Sequence, residues 1–302
     1  MSVFDRLISL SLPAVPKPIV GYFSRKYIAG VSVDDAFETV RSLEREGAMA
    51  TLDILGEFIT TLDEAEVNTR AYLDLVARIR GGGFQNANVS VKLTALGLQI
   101  DRERCFVNTR RIVGAACDAT NFVRIDMEDS GCTDATLDIY DRLRGEFPRS
   151  VGTVLQSRLR RTSADVAKLL ERPTNIRLCK GIYLEPRTIA YTDRTLIQRN
   201  FTALLDQLLT GGAYVGIATH DELLVWEAVE ILRRLRLPRE RYEFQMLLGV
   251  DPELRRIILA EGHRLRVYVP FGEHWHAYSV RRLRENPQIA GYAFKALLHR
   301  GS

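Results

Sequence analysis

The sequence predicts a single α/β domain built as a closed (βα)8 barrel of the TIM type. Three observations predict it. Apolar and amphipathic segments alternate eight times, the apolar segments read as nearly continuous runs, and no linker, low-complexity tract or repeat interrupts the 302 residues. Continuous apolar runs mark parallel strands buried on both faces. Eight units with one connection type favour closure over an open doubly wound sheet, and no Gly-rich dinucleotide fingerprint supports the open form. The expected division is an N-terminal helical segment over residues 1–30, the barrel over 31–287 and a tail over 288–302.

Taken in order, residues 3–30 suggest one or two short helices, with Pro13, Pro16 and Pro18 in the joint between them. VSVDDAFETVRSLEREG then opens on Ser32 as a cap and runs as an amphipathic helix to Gly47. AMATLDILGE is the first strand, and TLDEAEVNTRAYLDLVARIRGGG a long helix closed by three glycines. NVSVKLTALG is the second strand, with a helix near 102–117 behind it. FVRIDMEDS alternates as a strand and precedes the helix TDATLDIYDRLRGEF. VGTVLQSRL and SADVAKLLE form the fourth pair, and NIRLCKGIY with a long helix over 188–210 the fifth. YVGIATHD leads into DELLVWEAVEILRRL, and YEFQMLLG into DPELRRIILAEG, which has Pro252 near its start. RLRVYVPFG is the last strand, and a helix from Trp275 to Asn286 packs at the mouth and ends before Pro287.

Composition narrows the function classes. With 46% hydrophobic and 26% charged residues the chain reads as soluble and globular with a sizeable core. A net charge of +4 is too mild for a nucleic-acid partner. Cys105, Cys117, Cys132 and Cys179 have neither CxxC spacing nor scaffold density, so they read as reduced thiols of a cytoplasmic protein. The apolar start MSVFDRLISLSLPAVPKP is broken by charges and prolines and is not a cleaved signal peptide. No run is long enough to span a bilayer, so any membrane contact is peripheral, at the inner face.

Barrel chemistry sits at the C-terminal mouth. Seven of the eight strands carry an unusual polar residue near that end: Lys92, Asp126 with Glu128, Gln156, Arg177 with Lys180 and Tyr183, Thr219 with His220, Gln245, and Tyr268. Singly each has a bland explanation: Lys92 and Asp126 as a structural ion pair, His220 as a core histidine bonded to a carbonyl, Gln156 as a satisfied amide. Jointly they predict a large, partly cationic site, because buried charges are costly unless they are needed. On the last helix Tyr278, Arg281, Arg282 and Glu285 share one side, where two guanidiniums suit a carboxylate. Lys92 joins them as a third cation, and Arg177 with Lys180 forms a second set beside Gly181, where a backbone can approach a ligand closely. Gln156, Thr219, His220 and Gln245 offer uncharged hydrogen bonds to a large cofactor. No grouping has metal-ligand spacing and no GxSxG is present, so redox chemistry on an organic cofactor is the natural class.

VSVKLTALG, RIDMEDS, TVLQSRLRRT, RLCKGIYLEP, ATHD, YEFQMLLG and VYVPFGEHWHAYSVRRLREN together resemble the proline dehydrogenase family of FAD-dependent flavoenzymes, most closely its monofunctional bacterial members. The resemblance runs in consistent order over roughly residues 30–290. It implies a distorted barrel with FAD at the mouth, oxidation of L-proline to 1-pyrroline-5-carboxylate, and transfer of electrons to a membrane quinone. It places substrate contacts on Lys92, Arg281 and Arg282, and the flavin-side catalytic positions on Asp126 and Arg177. FAD contacts fall on Met127, Gln156, Lys180, Gly181, Ile182, Thr219 and His220, with Ile182 standing where the family typically has alanine. Tyr183, Tyr268, Tyr278 and Leu247 are expected to wall the substrate ring, and Asp126 to hold and tune Lys92. A separate 1-pyrroline-5-carboxylate (glutamate semialdehyde) dehydrogenase would take the product onward to glutamate. Two other readings remain: a flavin barrel of the methylenetetrahydrofolate-reductase type, which would draw on a nicotinamide donor, and a barrel without catalysis.

Overall fold

A computed structural model describes residues 25–56, 59–276 and 278–280. The expected helices before residue 25, the C-terminal helix beyond residue 280 and the tail at 288–302 lie outside the described residues. Eight strands, β1 (Met49–Ile54), β2 (Ala87–Val91), β3 (Val123–Ile125), β4 (Val151–Gln156), β5 (Asn175–Cys179), β6 (Tyr214–Ala218), β7 (Tyr242–Leu247) and β8 (Leu265–Phe271), close into one parallel barrel in chain order. β8 returns to β1 over six paired residues, from Met49 with Arg266 to Ile54 with Phe271. Helix α1 (Val33–Arg45) precedes β1. The helices α2 (Leu62–Gly81), α3 (Arg102–Asp118), α4 (Thr133–Glu146), α5 (Thr162–Leu169), α6 (Arg194–Thr210), α7 (Glu222–Leu235) and α8 (Pro252–Ala260) follow the first seven strands, as the alternation predicts.

The helix starts are written into the sequence. Ser32 and Asp35 cap α1 reciprocally, and Thr61 and Glu64 do the same for α2, so both ends satisfy donors that have no partner inside the helix. One boundary differs. The fifth helix was expected over 188–210, but α6 begins at Arg194, capped by Asp193, whose side chain accepts from Leu196 N at 2.9 Å. Upstream, Tyr191 N donates to Arg158 O at 2.8 Å and Leu159 bridges Ala190, so that stretch is tied to the β4 loop and cannot enter the helix. The strands also stop earlier than their apolar runs suggest. β2 ends at Val91, and residues Thr94–Leu96 turn as a short 3-10 segment, which leaves Lys92 just past the strand, at the mouth.

Two faces of the sheet divide the labour. Partners in a parallel ladder point the same way and alternate residues point oppositely. Ala50, Leu52, Val89, Val91, Val123, Ile125, Ile176, Leu178, Phe244 and Val267 face the helices and join their apolar sides in one continuous core. Each fully buried aliphatic or aromatic side chain of that layer contributes on the order of 1.5–3 kcal/mol. The inner face carries most of the polar residues of the strands. The pairs Thr51 with Asn88, Asp53 with Ser90, Ser90 with Arg124, Gly216 with Glu243, and Gln245 with Arg266 all lie on it. This corrects the reading of strands that are apolar on both faces with charge only near their ends. Arg124 is the central residue of β3 and Glu243 the second of β7, and both are buried.

Candidate active site

Lys92 and Asp53 form the first part of the mouth. Lys92 Nζ donates to both carboxylate oxygens of Asp53, at 2.7 and 2.8 Å, and Asp53 has no exposed surface. Burial pushes the Asp53 carboxyl up from its ordinary value, against the pull of Lys92. Tyr268 OH lies 3.5 Å from Lys92 Nζ and donates to Asp126 Oδ2 at 2.8 Å. Burial, with the Asp126 and Asp53 charges behind it, pushes the Tyr268 phenol well above its usual range, so it remains a donor.

Asp126 is the hub of the second part. It accepts from Ser90 Oγ at 2.7 Å, from an Arg177 terminal nitrogen at 2.6 Å and from Tyr268. The Arg177 guanidinium also stacks over the Tyr268 ring, 5.3 Å from its centroid. The expected pairing of Lys92 with Asp126 is therefore replaced by two pairs, Lys92 with Asp53 and Asp126 with Arg177. The reason is register: Asp53 and Ser90 are partners across β1 and β2, which brings the β1 carboxylate to the side of Lys92. Sequence reasoning passed over Asp53 because it sits inside the run ATLDI. The alternation of Thr51 and Asp53 with Ala50 and Leu52 is the signal that finds it.

Beneath Arg177 runs a third part, of which Gln245 was expected at the mouth while Glu243, Arg266 and Tyr214 were not. Arg177 Nε donates to Gln245 Oε1 at 2.5 Å, and Gln245 Nε2 donates to Glu243 Oε1 at 2.6 Å. Glu243 in turn accepts from Arg266 Nε at 2.8 Å and from Tyr214 OH at 2.9 Å. Burial alone would raise the Glu243 carboxyl, but Arg266, together with the amide of Gln245 and the phenol of Tyr214, holds it at about 2. Gly216 makes room for this chain, since a Cβ there would lie 2.5 Å from Gln245 Nε2.

The cofactor side of the rim is set by β4, β5 and β6. Gln156 closes β4, buried, with Nε2 donating to Glu128 O at 2.7 Å. Gly181 follows β5 with φ +93°, and a Cβ added there would lie 2.5 Å from Gln156 Oε1. Only glycine fits a backbone that is both left-handed and pressed against that amide. Lys180 and Arg177 do not make a joint cationic set. Lys180 Nζ pairs with Asp221 Oδ2 at 3.0 Å on the rim, while Arg177 points inside to Asp126. Burial opposes ionisation of Asp221, but Lys180 and Gln198 hold its carboxyl below the ordinary range.

Thr219 Oγ1 accepts from Asp221 N at 3.1 Å, and His220 Nε2 accepts from Leu247 N at 2.8 Å. Because Nε2 accepts from a backbone amide, the ring proton sits on Nδ1. Met127 is buried, and Ile182 and Tyr183 are half-buried on the β5 loop, which Arg158 pins by donating to Tyr183 O at 2.6 Å. Tyr278 is buried with Tyr27, Ile28 and Leu55 in a small apolar cluster of its own. Arg281, Arg282 and Glu285 lie outside the described residues.

The donor set fits a dinucleotide such as FAD. The bare backbone at Gly181, a half-buried ammonium at Lys180 and the uncharged donors on Gln156, Thr219 and His220 share one rim. There Arg158 Nε is buried without a partner among the described residues.

The sequence profile of the proline dehydrogenase family matches residues 36–293. Proline dehydrogenase of Deinococcus radiodurans is 37% identical over 279 residues, covering 91% of this chain and 90% of that protein. Proline dehydrogenase 1 of Bacillus subtilis is 34% identical over 275 residues, with 91% and 90% covered. Among solved structures, proline utilization A (PutA) from Bdellovibrio bacteriovorus, inactivated by N-propargylglycine, superposes with a TM-score of 0.83 at 27% identity. That match covers 88% of this chain and 32% of the other, so the chain spans about a third of the length of the solved structure.

Proposed function

This chain belongs to the proline dehydrogenase family, and on that premise we propose that its barrel mouth binds FAD and holds L-proline between Lys92 and Arg177. It is an enzyme that oxidises proline, the first step of proline degradation. The observation that carries the site reading is the constellation itself. Lys92 on Asp53, and Arg177 on Asp126, are two charge-compensated cations joined through Tyr268 at the C-terminal end of a barrel.

When bound, FAD supplies the acceptor for the hydride that leaves the carbon beside proline's nitrogen. The chain does the rest. Lys92, with Arg281 and Arg282 as further cations, takes the substrate carboxylate. Asp53 fixes the ammonium by accepting from it at both carboxylate oxygens, with Tyr268 OH at 3.5 Å on its other side. Leu247, Tyr183, Tyr268 and Tyr278 supply the apolar wall for the substrate's pyrrolidine ring and exclude water from it.

Arg177 supplies a fixed positive charge at the mouth, which would stabilise negative charge on the cofactor when FAD is bound. Asp126, already accepting from three donors, orients Arg177 and Tyr268 and is no candidate for the base that takes the imino proton. Gln156, Lys180, Gly181, Ile182, Met127, Thr219 and His220 would hold the cofactor. Gln245 reaches it only through Arg177.

Electrons leave to a quinone, and the product passes to a separate pyrroline-5-carboxylate dehydrogenase. We place the enzyme in the cytoplasm, with peripheral contact at the inner membrane face. Two features support that placement: its four cysteines are unpaired thiols, and among the described residues no helix is long and apolar enough to cross a membrane. Steady-state turnover with a soluble quinone as the sole acceptor tests this reading. Proline-dependent quinone reduction supports it, and turnover that requires a nicotinamide contradicts it.

A further inference from the structure

A primary amide accepts at one end and donates at the other, and Gln245 stands between two groups that leave it no choice of direction. Arg177 can only donate, and an ionised Glu243 can only accept. Oε1 must therefore face Arg177 and Nε2 must face Glu243, the arrangement at 2.5 and 2.6 Å. This assignment follows from the chemistry of the neighbours, independent of any difference between N and O. We propose that Glu243, acting through Gln245, sets the orientation of the Arg177 guanidinium and is a positioning residue for the proline-oxidising step.

Glu243 is itself fixed from below. Arg266 reaches it with Nε at 2.8 Å and a terminal nitrogen at 3.2 Å, and Tyr214 OH with 2.9 Å. Both Glu243 and Gln245 are more than nine-tenths buried, so water offers no replacement bonds. With Gln245 in place, the Arg177 fork is held at two nitrogens, Nε by the amide and a terminal nitrogen by Asp126 at 2.6 Å. Two bonds to different nitrogens of a planar group fix its plane; one leaves it free to swing. Without Glu243 the amide can turn over and present its donor to a donor, and Arg177 loses the second hold.

The proposal rests on the flavin reading above, and the test separates the two. FAD-loaded protein is mixed anaerobically with L-proline, and the limiting rate of flavin reduction, the proline Kd and the midpoint potential of the bound flavin are measured. Gln245→Met keeps the volume and leaves the Glu243 and Arg266 pair intact. It is expected to slow the limiting rate about 10-fold, to leave proline Kd within about 2-fold, and to move the flavin to a more negative potential. Glu243→Gln is expected to do the same.

The exchanged double variant, Glu243→Gln with Gln245→Glu, restores the polarity of the chain. The new carboxylate accepts from Arg177, and the new amide donates to it while accepting from Arg266. Arg266 also keeps Ala50 O and Asn86 O at 2.8 and 3.1 Å. Most of the lost rate should return. An unchanged rate and potential in Gln245→Met, or a double variant no faster than Glu243→Gln alone, overturns the proposal. Should Glu243→Gln fail to fold, Gln245→Met decides by itself. A wild-type flavin that proline leaves oxidised overturns the functional reading and this proposal together. A reduced wild type with unaffected variants overturns the proposal alone.

Discussion

Lys92 and Asp53 meet across the first two strands of the barrel, with Nζ within 2.8 Å of both carboxylate oxygens and the carboxylate fully buried. Breaking a buried pair by deleting one partner costs about 3–5 kcal/mol, because the other charge stays behind. Asp53→Ala should therefore lower the midpoint of thermal unfolding by several degrees. Lys92→Met leaves Asp53 able to take up a proton, so it should fold and raise the proline KM on the order of 100-fold with FAD retained. Calorimetry and steady-state kinetics check the two.

Gly181 occupies a left-handed conformation against Gln156 Oε1. Gly181→Ala must either shift the β5 loop or displace the amide, at a cost of about 1–3 kcal/mol. Purified Gly181→Ala should carry less FAD than wild type, measured as the ratio of flavin to protein absorbance.

Glu243 is held at about 2, against an ordinary glutamate value of 4.5. A carboxyl depressed on folding contributes stability that is complete above the unfolded value and is lost as pH falls through the folded one. The window is thus pH 4.5 to 2, and the contribution is roughly 3 kcal/mol from a shift of this size. Urea unfolding of wild type and Glu243→Gln across that range should show the wild type losing this increment and the variant lacking it. Equal pH slopes would contradict the assignment.

Arg177 bonds two acceptors in different directions, Gln245 and Asp126, which a lysine ammonium cannot reproduce in the same plane. Arg177→Lys should slow flavin reduction by about 100-fold or more while proline affinity changes little, as read by anaerobic stopped-flow.

The fold was legible because the helix-facing residues of the strands are nearly all apolar, Thr153 on β4 being an exception, and the helix caps at Ser32 and Thr61 are explicit. Lys92, Asp126 and Gln156 stood out as polar residues at or just past strand ends, and Arg177 as a charge in the middle of β5. Partners were another matter. Which carboxylate serves Lys92 depends on the register between β1 and β2, a relation between residues 39 positions apart that no local pattern encodes. Glu243 and Arg266 escaped notice for a related reason. Each lies early in an apolar run, and their charges make sense only once β7 and β8 are side by side with Gln245 opposite Arg266.

Anaerobic titration of the purified, FAD-loaded protein with L-proline tests the central claim most directly. Stepwise loss of the oxidised flavin absorbance, complete at saturating proline and absent with NADH, is the result this account predicts. A flavin that NADH bleaches and proline leaves untouched would contradict it.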